Sequence, residues 1–143
     1  AEQKLTGMVT HMLTMMLDVN SPAWHIELMM RELARPTDAC RALVEEFISP
    51  MFAQLLAIVR ELLPMDTPQI TQQQTTFSVV AQCLLYRYHR PIGRLLVGEE
   101  QFQRLLDVAL VAQQIVQFSL GGIRETSRQL ASGEWISPAG SVP

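Results

Sequence analysis

Charge is what this sequence is short of: Asp, Glu, Lys and Arg make up 17% of its 143 residues, against roughly 25% in an average soluble domain. A basic surplus is missing as well. With 11 Lys and Arg against 14 Asp and Glu the net charge is -3, which gives no electrostatic footprint for a phosphate backbone, so these residues do not grip nucleic acid by themselves. Cysteine is limited to Cys40 and Cys83. Two distant cysteines cannot form a disulfide framework and suit structural thiols in a reducing cytoplasm. Nothing at Ala1-Glu2-Gln3-Lys4 has the form of a secretory leader, and a start at alanine reads as a fragment or a processed chain.

Catalytic signatures are also missing. The sequence has no His-Glu-x-x-His, Cys-x-x-Cys, Gly-x-Ser-x-Gly or glycine-rich phosphate loop, which removes the common metal, nucleophile and nucleotide sites. Di-metal helical bundles need Glu-x-x-His on core faces, but the residues three before His11, His25 and His89 are Met8, Pro22 and Tyr86. The carboxylate pairs Glu45-Glu46 and Glu99-Glu100 are adjacent, so on a helix each pair diverges by about 100° and faces solvent. An enzyme, for instance a metal or acyl site built from His25, Cys83 and His89, is therefore disfavoured, and no cofactor or metal is expected.

The charge deficit is localised. Thr67 to Tyr86 and Val108 to Ile123 contain no charge at all, and the 25 charges fall on the other 107 residues, about 23% of them, an ordinary density. A membrane span needs about 20 predominantly apolar residues. The first window holds Gln69, Gln72, Gln73, Gln74, Thr75 and Thr76, and the second is short and carries three glutamines. Stretches too uncharged for a solvated face and too polar for lipid fit the charge-depleted centre of a protein interface.

Periodicity and caps give an all-α chain. Leu5, Met8, Val9, Met12 and Met16 share one helical face and predict a helix from Glu2 to Leu17. Ser21-Pro22 opens a short helix to Ala34, before Pro36. Thr37-Asp38 caps a third helix, Asp38 to Leu63, kinked where Pro50 cannot bond the Glu46 carbonyl. Thr67-Pro68 caps a fourth, which runs to His89. Ile92 to Gly98 reads as a connector with one helical turn at most, and Glu99 to Leu130 as a single last helix, with Gly133 past its end. Residues 1–131 form one domain, and residues 132–143, rich in Gly, Ser and Pro, form a flexible tail.

Six of the eight methionines, Met8, Met12, Met15, Met16, Met29 and Met30, lie in the first thirty residues. Methionine fills irregular cores, and it also lines sites that accept varied apolar ligands. Trp24, His25 and Tyr86 add polar-tipped rings to the same region, the composition of a mostly apolar pocket with a few convergent polar groups. The Pro50 kink opens space beside Phe47, Met51 and Phe52, or merely wraps the helix around the core. Arg87, His89, Arg90 and Arg94 either complement the C-terminal dipole of the fourth helix or bind an anionic ligand group.

Three segments carry a resemblance: Trp24-His25-Ile26-Glu27-Leu28-Met29-Met30-Arg31-Glu32-Leu33-Ala34-Arg35-Pro36-Thr37, Leu43-Val44-Glu45-Glu46-Phe47-Ile48-Ser49-Pro50 and Cys83-Leu84-Leu85-Tyr86-Arg87-Tyr88-His89-Arg90-Pro91. In order and spacing they resemble the C-terminal regulatory domain of TetR-type transcriptional repressors, in the CecR-like (YbiH-like) subgroup. The resemblance implies an all-α domain of about five helices that binds a small, largely apolar or aromatic effector. Its two last long helices would form a dimeric four-helix bundle. An N-terminal helix-turn-helix domain, absent from these 143 residues, would read operator DNA. No membrane is implied. On matching helices the effector would meet Met12, Met16, Trp24, His25, Met29, Phe47, Met51, Phe52, Cys83 and Tyr86. The dimer interface would use Phe77, Val80, Ala81 and Leu84 with Val108, Val111, Ala112, Ile115, Val116 and Ser119. A helical dimer with a filled core and no ligand is the alternative.

Overall fold

A computed structural model describes residues 1–17, 31–32, 35, 37–88 and 90–134. Among them there is no strand, and six helices account for the fold. The first, α1 (Glu2–Leu17), buries Leu5, Val9, Met12, Leu13 and Leu17, the face its spacing predicts. The helix expected from Pro22 to Ala34 lies largely outside the described residues.

The second helix, α2, runs continuously through Asp38–Leu43, a π-helical turn at Val44–Ile48 and Ser49–Leu62. Sequence reading expects a kink at Pro50; the structure shows a widened turn directly before it. Residue 50 has no N–H to give the Glu46 carbonyl, and one residue earlier the Ser49 N–H donates to the carbonyl of Val44, five residues back. The extra residue in the turn lets the helix pass the proline without ending. Thr37 occupies the N-cap position of α2 with no side-chain capping bond; its hydroxyl donates to Glu32 Oε2 instead.

α3 (Gln69–Tyr88) follows, then α4 (Arg90–Val97), α5 (Glu99–Arg104) and α6 (Val108–Ser132). Two sequence expectations are corrected here. The connector is a full two-turn helix, and the single last helix is two. Asp107 ends the earlier one because its carboxylate accepts from the N–H groups of Ala109 and Leu110, at 2.9 and 3.1 Å. An aspartate that caps in this way starts a helix rather than continuing one. At the far end Gly133 takes φ +71, and the Gly133 and Glu134 N–H groups return to the carbonyls of Leu130 and Gln129, a Schellman closure.

The core joins α1, α2, α3 and α6 through Leu5, Val9, Met12, Leu13, Leu55, Val79, Cys83, Val111, Ala112 and Ile115. A satellite of Val59, Leu63 and Ile123 closes one end. At that end Arg124 pairs with Glu2 and Lys4 with Glu61, both at 2.8 Å. The start of α1 therefore sits beside the end of α2 and the latter half of α6. α3 runs antiparallel to α2, since Arg60 bonds Gln72 while Phe52 meets Phe77 with ring centroids 4.8 Å apart.

One stretch, Cys40–Leu62, is long and apolar enough by length and composition to cross a membrane, with mean hydropathy 1.6. It carries Glu45 and Glu46, both exposed, and anchors Leu55 and Val59 fully inside the bundle.

Candidate ligand pocket and dimerisation face

The residues expected at the ligand divide into four groups. Met12 and Cys83 are fully buried, and Met16, Met51 and Tyr86 pack, half-buried, against the same core. Five of the ten therefore gather where α1, the middle of α2 and the end of α3 converge. Phe52 stands beside them but faces Phe77, a residue expected at the dimer interface, so one ring pair bridges the two expected sites. Phe47 does not join them: it lies in the π-helical turn and is 66% exposed. Trp24, His25 and Met29 lie outside the described residues.

The chemistry of this cluster is apolar. Loss of hydration pushes the Cys83 thiol up to about 11, so it stays protonated and packs as a small hydrophobe. Among the described residues no three His, Cys, Asp or Glu side chains group as a metal site would require. The basic cluster after α3 is partly committed, since Arg94 pairs with Glu99 at 3.0 Å; His89 lies outside the described residues. Glu99 and Glu100 open α5 and also bond Gln103 and Arg104.

The expected dimer residues separate by burial. Phe77 and Ala81 on α3 are exposed, and Val80, Leu84 and Val108 are half-buried. Val111, Ala112, Ile115 and Val116 are buried in the core of their own chain. From Val108 to Ile123 both sides of α6 are uncharged, and helical spacing alone does not say which turns inward. The outward side carries Leu110, Gln114 and Phe118, the last 69% exposed.

Ser119 lies at the boundary. It is buried and accepts a hydrogen bond from Gln82 Nε2 at 3.2 Å. Around this link α3 and α6 leave a groove of about 290 Å³, bordered by Gln74, Ser78, Gln82, Phe118, Ser119 and Gly122. Its walls are uncharged, and apolar surface from Val79, Phe118 and Ile123 predominates in them.

No curated protein and no solved structure matches the chain. The family described as "HTH-type transcriptional dual regulator CecR, C-terminal domain" matches residues 1–123, a span that takes in α1 to α5 and most of α6. The chain belongs to that family and is a regulatory domain of a TetR-type transcriptional regulator.

Proposed function

We propose that this domain is the effector-binding and homodimerisation half of a TetR-type repressor in the cytoplasm, and that a small apolar or aromatic molecule controls DNA binding by a helix-turn-helix domain preceding Ala1. The family match across residues 1–123 carries the reading. The effector would enter beside Met12, Met16, Met51 and Tyr86, with Trp24, His25 and Met29 completing the site. The π-helical turn before Pro50 gives α2 a place to change its bend, and the paired ends of α1 and α2, Lys4 with Glu61, would carry that change to the start of the chain. Such coupling is a difference in effector affinity between two states, reciprocal with DNA affinity.

Two copies would meet through the outer sides of α3 and α6 as an isologous four-helix bundle, with Phe77, Ala81, Leu110, Gln114 and Phe118 at its centre. The exposed surfaces of the charge-free stretches, Thr67 to Tyr86 and Val108 to Ile123, support this arrangement.

A second reading, a dimerisation module with no effector, is favoured by the complete burial of Met12 and Cys83, as a filled core would require. Thermal melting against antibiotics, aromatic acids and acyl compounds separates the two. A compound at 100 times its dissociation constant adds about 2.7 kcal/mol. Stabilisation by one chemical class supports the effector reading, and no shift with any compound leaves the filled module.

A further inference from the structure

We propose that the hairpin of α4 and α5 is an arm that lays Ile92, Leu95 and Leu96 on a second copy of this chain; the proposal rests on the dimer reading above and adds a surface to it. The hairpin is a built unit. A Cβ at Gly93 would clash with the Phe102 ring, so the glycine is what lets that ring lie on α4, and Phe102 is buried there. Gly98 reverses the chain at φ +81, where other residues are strained. Arg94 pairs with Glu99 and Arg104 with Glu100, so the charges of the arm are largely neutralised within it.

What the hairpin leaves outward is apolar. Ile92, Leu95 and Leu96 have the i, i+3, i+4 spacing of one helical face. Leu95 is 87% and Leu96 78% exposed. Among the described residues α4 and α5 pack chiefly on each other and little on the bundle, so no described element of the same chain covers this face.

The position of the arm selects the occupant. It joins the bundle at the end of α3 and the start of α6. The start of α1 lies beside Arg124, about 24 Å further along α6 at 1.5 Å per residue, so a domain entering through Ala1 enters at the other end. The arm is instead continuous with the outer face of α3 and α6, through exposed Leu85 on one side and Leu105 and Leu110 on the other.

The test is sedimentation equilibrium of the chain as wild type, Phe118→Asp and the double variant Leu95→Asp/Leu96→Asp, with circular dichroism confirming retained helix. The wild type is expected to dimerise, and the double variant to dimerise at least about tenfold more weakly, since both arms lose their contact. A wild-type monomer at micromolar concentration would overturn the dimer reading and the arm with it. A wild-type dimer that Phe118→Asp dissociates and the double variant leaves unchanged would overturn the arm alone. A photo-cross-linking benzophenone amino acid in place of Leu95 adds a readout independent of affinity. Adducts of doubled mass support the arm, and adducts only within one chain, as with residues 18–30, overturn it.

Discussion

Gln82 on α3 donates from one Nε2 to the hydroxyl of Ser119 on α6 at 3.2 Å and to its own helix at the Ser78 carbonyl, 3.3 Å away. A single amide thus links two helices at a level where neither carries a charge. It sits at the groove between them, where the register of α3 against α6 decides which side chains face outward.

A double-mutant cycle of Gln82→Ala and Ser119→Ala should give a coupling of about 1 kcal/mol in urea unfolding at fixed protein concentration, the usual worth of a partly buried hydrogen bond. Strict additivity would mean that the two side chains do not meet in solution.

The two sides of α6 should respond differently to truncation. Ile115 is 1% exposed, within the core, so Ile115→Ala should cost about 2–4 kcal/mol of stability through lost burial and a cavity. Phe118→Ala removes an exposed ring and should leave the stability of the single chain within about 0.5 kcal/mol while weakening self-association. Melting at low protein concentration reads the first effect and sedimentation the second; equal destabilisation by both would contradict the orientation of α6.

That contrast marks how far the sequence was legible. The buried face of α1 follows directly from the spacing of Leu5, Val9 and Met12, and Pro68 and Gly133 mark ends that the structure keeps. Val111, Ala112, Ile115 and Val116 have equally clear helical spacing. Spacing identifies a face, however, and says nothing of which neighbour covers it, and from Val108 to Ile123 α6 has two uncharged faces. Asp107 carried a readable signal, since a short acid before an apolar run is a common N-cap. The glutamates at the start of α5 obscured it by marking an earlier helix start. The wide turn at Val44–Ile48 had only Pro50 as a clue, and a proline does not disclose whether a helix kinks, ends or widens. The apolar cluster was legible as composition: Met8, Met16, Met51 and Tyr86 pack around the core of Met12 and Cys83, while Phe47, within the π turn, is exposed.

Thr67 offers a test of local accounting. Its side chain is buried and its Oγ1 has no hydrogen-bond partner among the described residues, although its carbonyl accepts from Gln72 Nε2 at 2.8 Å. Thr67→Val keeps the shape and removes an unpaired hydroxyl, so it should be neutral or stabilising by up to about 1 kcal/mol. A loss above about 1 kcal/mol in thermal or urea unfolding would show that the hydroxyl has a partner in solution.

Cys83 ties stability to pH on the alkaline side. Burial pushes its thiol from the ordinary 9.0 up to about 11 in the fold. The unfolded chain releases the proton near the ordinary value while the folded chain keeps it. Its contribution is therefore fully present below pH 9 and is lost as pH rises towards 11. Two pH units correspond to about 2–3 kcal/mol. Lysine and tyrosine titrate in the same range, so the useful quantity is the difference between wild type and Cys83→Ala in urea unfolding at pH 8, 9, 10 and 10.5. The variant should be less stable at pH 8 because of the small cavity it leaves, and the gap should narrow or reverse by pH 10.5. A gap that stays constant over that range would mean that the thiol is hydrated and that the core opens near the middle of α3.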